Sequence, residues 1–181
     1  MSGSVTVWRC FPASRELQLL QAGHAPAVFA FETANRAWFA ASVPDRGDDY
    51  FTHFASRHDA LLAEQAGGLC AFYVLVAEDG TVLGRFNLVD IHEGVATLGY
   101  RVAQQVAGRG VATATVRQLC QLALTRHGLH TVNASVADEN AASRKVLVKA
   151  GFLPVGPAEP ADLDGKPGLL YRRHAADQSF R

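Results

Sequence analysis

Residues 95–116 read "VATLGYRVAQQVAGRGVATATV". A β-rich run, Val95–Ala103, gives way to a loop with Gly108 and Gly110 one residue apart. The chain then turns without a break into an amphipathic helix. A strand that ends, a glycine-bearing loop and a helix that begins at once create an anion site. The first helical amides have no internal partner and carry partial positive charge, and glycine leaves no side chain in the way. On this stretch alone, a turn with nothing bound is an equally good reading. Two other phosphate loops do not fit. A P-loop needs Lys after its last glycine, where Val111 stands. A dinucleotide fingerprint needs a third Gly or Ala where Thr113 stands, and an acidic residue in what is here "LHTVNAS".

Upstream, "LCAFYVLVA" and "TVLGRFNLVDI" are further strands, separated by the turn signals Glu78-Asp79-Gly80 and His92-Glu93-Gly94, so residues 69–103 read as an antiparallel meander. Before it come a short strand over Leu17–Leu20 and two helices, "HAPAVFAFETANRAWFA" and "PDRGDDYFTHFASRHDALLAEQAGG". Downstream, "VATATVRQLCQLALTRHG" spans about four and a half helical turns and ends on Gly128. "LHTVNASVA" is a strand, "ENAASRKVLVKAG" a helix closing on Gly151, and a strand starts at Phe152. A loop from Pro154 to Gly168 leads to a last strand over Leu169–Arg173. This order is that of an α/β (α+β) protein with a mixed sheet, and the meander argues against a doubly wound parallel one.

The 181 residues are expected to form a single domain, 1–181, with a proper hydrophobic core. Seventeen basic residues balance seventeen acidic ones, so the overall charge points neither to direct nucleic-acid binding nor to an anionic membrane. The N-terminus lacks a secretory pattern and no stretch has the length of a membrane span, so a cytoplasmic protein is expected. Cys10, Cys70 and Cys120 form no C-x-x-C pair, and the seven histidines give no H-E-x-x-H spacing, so neither a disulfide framework nor a metal site is expected. Cys70 and Cys120, inside apolar segments, read as inert core thiols. There is no G-x-S-x-G elbow for a nucleophilic serine.

In "NAASRKVLVKAGF", Asn140 and Ser143 share one helix face, which alone reads as a cap and a surface hydroxyl. With the glycine loop the picture changes. The two segments, together with "GYRV" and "NRAWF", resemble the GNAT acyltransferase superfamily, and look closest to the RimJ/RimL-like ribosomal-protein N-terminal acetyltransferases. The resemblance runs from about Leu17 to Tyr171. It implies the GNAT acyl-CoA N-acyltransferase fold: a mixed, mostly antiparallel seven-stranded sheet flanked by about four helices. The family's Q/R-x-x-G-x-G/A pattern falls on Ala107–Ala112, and Ala107 departs from it.

The resemblance also implies chemistry. Acetyl-CoA (CoA) is the expected cosubstrate, with the acetyl carbonyl near the Val102 N–H and the pyrophosphate on Gly108, Arg109, Gly110, Val111, Ala112 and Thr113. Asn140 and Ser143 border it. Many superfamily members carry a tyrosine acid seven residues after the motif Asn, where this chain has Leu147, so Ser143 is the expected donor to the thiol. The base is expected among Glu159, Asp162 and Asp164 before the last strand, with Glu32, Asp90 and His92 as weaker candidates. The expected partner is an amine acceptor, a ribosomal or other protein N-terminus. An α-amino group, with a pKa of about 7.7 to 8.0 against about 10.4 for lysine, needs little help from a base. A small amine such as an antibiotic or polyamine, and a non-catalytic acyl-CoA-binding module, are the alternatives. Homodimers are frequent among RimL-like proteins, so a homodimer is one expected assembly.

Overall fold

A computed structural model describes residues 14–175. The strands are β1 (Arg15–Leu19), β2 (Ala71–Ala77), β3 (Val82–His92), β4 (Val95–Val102), β5 (Thr131–Ala137), β6 (Leu153–Pro157) and β7 (Gly168–His174). The α-helices are α1 (Ala25–Ala34), α2 (Arg36–Ala40), α3 (Asp48–Thr52), α4 (Phe54–Ala66), α5 (Val111–His127) and α6 (Ala141–Lys149). The seven strands form one sheet in the order β1-β2-β3-β4-β5-β7-β6. Every neighbouring pair is antiparallel except β4 and β5.

The meander arises from its turns. Glu93 and Gly94 both have positive φ, +46° and +74°, as the two central residues of a tight hairpin require, and they link β3 to β4. A side chain on Gly94 meets the His130 ring, so the turn is also packed against the start of β5. Strand β2 is buried on both faces, which explains its unbroken apolar run. Phe72 and Val74 face α1, α3 and α4 with Val28, Tyr50 and Phe54, while Tyr73 and Leu75 face α5 and α6 with Leu119 and Leu147. Phe152, fully buried, anchors the turn from α6 to β6 in this second core.

Three expected boundaries move. The first helix is broken at Asn35, whose side-chain amide donates to the Phe31 carbonyl at 2.9 Å and whose Oδ1 accepts the Gln104 N–H at 2.9 Å. A side chain that satisfies backbone groups in this way competes with the helix. The second helix starts at Asp48, the acidic start its sequence offers, where Gly47 takes φ +76° ahead of it, but it is interrupted at His53. The loop before the last strand begins after Pro157, since Pro154 sits in the edge strand β6, where a missing N–H is tolerated. Gly168 opens β7 because a β-carbon there meets the Val136 carbonyl and Leu163.

Candidate functional site

Strands β4 and β5 pair only over Val95–Thr97 and Thr131–Asn133. Beyond that point β4 stays with β3 and β5 stays with β7, so the sheet splits. Ala103 N–H donates to the Leu83 carbonyl at 2.9 Å, so by strand alternation the polar backbone groups of Val102 turn away from β3. The Val102 carbonyl accepts the Trp38 indole N–H at 3.2 Å.

Two cavities open on this split. The first, about 490 Å³, runs from α2 along β4 to the glycine loop and α6. The second, about 200 Å³, lies between β4, β5 and the loop after β6. Ser42, Val43, Tyr100, Asn140 and Ser143 line both. At this shared wall the Tyr100 and Ser143 hydroxyls are 2.9 Å apart. Burial pushes the Tyr100 phenol up to about 12, against a weaker opposing pull from its bond to Ser143, so it stays protonated at neutral pH.

The glycine loop is built as an open cradle. Gly108 and Gly110 have φ of +72° and +76°, and β-carbons added there meet nothing within 4 Å. The first bond of α5 runs from Ala114 N–H to the Gly110 carbonyl, which leaves the N–H groups of Val111, Ala112 and Thr113 without an intrahelical partner. Gly108, Gly110, Ala112, Thr113 and Val102 line the first cavity, as does Ala107. Arg109 is exposed and Val111 buried, and neither lines it. Asn140 caps α6, its Oδ1 accepting the Ser143 N–H at 3.1 Å.

The acidic residues before β7 separate. Asp162 and Asp164 line the second cavity, and Asp162 Oδ2 accepts the Ser135 hydroxyl at 3.0 Å. Glu159 precedes the same short turn, is exposed, and lines neither cavity. Of the weaker candidates, Glu32 is buried among arginines on the α1 side of the sheet, while Asp90 and His92 line neither cavity. Cys70 and Cys120 are partly buried thiols that burial pushes up, whereas Cys10 lies outside the described residues. Tyr100 is the residue that sequence reasoning missed, and its signal was its place in "GYRV" immediately before the loop. Among the described residues, no helix is long and apolar enough to cross a membrane, and no group of three or more His, Cys, Asp or Glu is positioned to hold a metal ion.

Comparison with known proteins agrees with this architecture. The family model described as an acetyltransferase (GNAT) domain matches residues 15–153. The probable N-acetyltransferase YjcK of Bacillus subtilis is 29% identical over 130 residues, covering 67% of this chain and 70% of its own. The ribosomal-protein-S5-alanine acetyltransferase from Vibrio fischeri superposes with a TM-score of 0.81 at 19% identity, over 92% of this chain and 95% of that one. Mycobacterium smegmatis RimJ, in complex with CoA-disulfide, gives a TM-score of 0.81 at 26% identity, over 92% of this chain and 84% of its own.

Proposed function

The chain belongs to the GNAT acetyltransferase family, and from that premise we propose that it acetylates the N-terminal α-amino group of a protein or peptide, with acetyl-CoA as cosubstrate. The observation that carries this reading is the Tyr100–Ser143 pair at the wall shared by two cavities, one to hold each reactant. The first cavity fits CoA. Its open glycines and the unpartnered α5 amides offer donors for a pyrophosphate, from Gly108 through Thr113, with Arg109 free to add a charge-assisted contact from outside. The Val102 N–H serves the acetyl carbonyl, and Asn140 fixes the helix end that carries Ser143.

Acetyl-CoA supplies an acetyl group activated as a thioester; the chain's own residues manage the protons. Asp162, on the second cavity, takes the proton from the acceptor amine, with Glu159 as the more distant candidate on the same turn. The amine nitrogen bonds to the acyl carbon as the carbon–sulfur bond breaks. Ser143 gives its proton to the departing sulfur, Tyr100 returns one to Ser143 across 2.9 Å, and solvent restores the proton of Tyr100 while taking the one left on Asp162. Tyr100 thereby supplies from β4 the phenol that α6 lacks at Leu147, a buried core position. A cationic polyamine or antibiotic calls for a markedly acidic cleft. Here Asp162 and Asp164 share the second cavity with Lys166, and Arg101 lines the first.

Thiol release measured with N-terminal peptides, polyamines and aminoglycosides tests the proposal. Turnover is expected with peptides. Tight CoA binding by calorimetry with no turnover of any amine favours a binding module instead.

A further inference from the structure

The sheet register sets Arg85 of β3 directly opposite Arg101 of β4, a like-charge pair that is unfavourable unless something lies between. Glu32 of α1 supplies that: its Oε1 accepts from Arg85 Nη1 at 2.6 Å and its Oε2 from Arg101 Nη1 at 3.2 Å. Arg46, in the segment between α2 and α3, approaches the same Oε2 at 3.5 Å. Three guanidinium groups therefore share one carboxylate. The neighbouring arginines are not short of partners, since Arg36 pairs with Asp45 and Asp48, and Arg57 with Asp49.

The shared carboxylate is not divided evenly. Glu32 and Arg85 are 1% and 5% exposed, a closed pair that is sufficient to tie α1 to the sheet. Arg101 and Arg46 keep 22% and 33% exposure and carry the excess charge toward solvent. Both stand over aromatic rings, Arg101 4.8 Å from the Phe39 centroid and Arg46 4.5 Å from that of Tyr50, which restrains them before any ligand arrives. Arg101 follows Tyr100 directly and lines the first cavity beside Trp38 and Ser42. The Ser42–Pro44 segment borders the second cavity and leads straight into Arg46.

Arg101 lies on the first cavity next to the Ser42–Val43 wall it shares with the second, and Arg46, which lines neither cavity, follows that wall beyond Pro44. We infer that Arg101 and Arg46 form an anion-recognition site for an acceptor that reaches past this wall, and select amines carrying a carboxylate one or two residues from the reacting nitrogen. A peptide with Asp or Glu at its second or third position has that chemistry, because each extended residue spans about 3.3 to 3.6 Å. Desolvation first, then the field of Arg46 and that of Arg85, outweigh the pull of Glu32 and hold the Arg101 guanidinium below the usual arginine range, as expected where three cations share one carboxylate. The inference rests on the peptide-acetylating reading above. The CoA pyrophosphate is not the anion in question, since the proposed function gives it the amides of residues 108–113.

The test uses C-terminally amidated peptides that begin with Ala and differ only in having Glu, Gln or Lys at positions two and three. With the full chain, kcat/KM is expected to favour Glu over Gln by about tenfold, the loss typical of one charged hydrogen bond, and the preference shrinks as salt screens it. R101Q and R46Q, the second on a more exposed side chain, are each expected to reduce the Glu-to-Gln ratio toward one, mainly through KM. Equal turnover of the three peptides by the unmodified chain overturns the inference alone, as does a preference that survives both substitutions. Reduced CoA affinity in R101Q with the peptide ratio intact also overturns it. Turnover of no peptide at all overturns the peptide reading and this inference with it.

Discussion

The Tyr100 and Ser143 hydroxyls, on a strand and a helix 43 residues apart in sequence, stand 2.9 Å from each other where the two cavities meet. If they act as one proton path, each is useless without the other. Ser143→Ala is expected to lower kcat by about tenfold or more, as is Tyr100→Phe, and the double variant should be little worse than either single one. Initial rates of thiol release decide this. Effects that multiply in the double variant mean independent roles.

Gly110→Glu sets a carboxylate in the cradle and forces a side chain into the left-handed region at φ +76°. CoA affinity, measured by calorimetry, should fall by at least about a hundredfold, from like-charge repulsion and local strain of a few kcal/mol together. Gly99, which has open space and no positive φ, is the control: Gly99→Ala should leave affinity close to that of the parent chain.

Asp162 and Glu159 sit three residues apart, but only Asp162 borders the second cavity. Asp162→Asn is therefore expected to cut kcat by about a hundredfold at neutral pH, with a smaller deficit as pH rises and the amine deprotonates unaided. Glu159→Gln should cost less than about threefold. A reversed order moves the base to Glu159.

Tyr100 also leaves a mark on stability. Its folded value is raised to about 12 from an ordinary 10, so the folded chain keeps a proton that the unfolded chain loses. The stabilisation is complete below pH 10 and is lost as pH climbs from 10 to 12. At about 1.4 kcal/mol per unit it amounts to about 2–3 kcal/mol. Urea unfolding from pH 9 to 12 should show the parent chain losing that much more than Tyr100→Phe.

Glu32→Gln leaves three arginines without their carboxylate in a largely buried setting. Breaking such a pair costs about 3–5 kcal/mol. The loss should appear as a lower urea midpoint with an unchanged slope.

The succession of strands and helices, the glycine turn into α5 and the helix of Asn140 and Ser143 were legible because each rests on local chemistry: alternation, turn residues, and a helix that starts where glycines end. The breaks at Asn35 and His53 were not legible from helical periodicity. Asn35 leaves the helix to satisfy an amide 69 residues away, a contact that no local pattern announces. Tyr100 escaped notice for a related reason. A tyrosine in a strand reads as a packing residue, and it packs, stacked 5.7 Å from Phe86. Only the split between β4 and β5 puts its hydroxyl opposite Ser143. The three-to-one arginine cluster likewise depends on strand register, which pairs Arg85 with Arg101, and on the helix that delivers Glu32.

Asn35 has a bearing on engineering. One side chain ties the end of α1 to Gln104, in the short turn that leads into the glycine loop. A graft that exchanged residues 25–40 for those of a relative, to change which amine is accepted, would cut this tie unless Asn35 came with it. With CoA on the glycine loop as proposed, the altered enzyme would then lose grip on its acyl donor for a reason unrelated to the new acceptor. Position 35 therefore belongs with the glycine loop as one transplantable unit, although 69 residues separate it from Gln104.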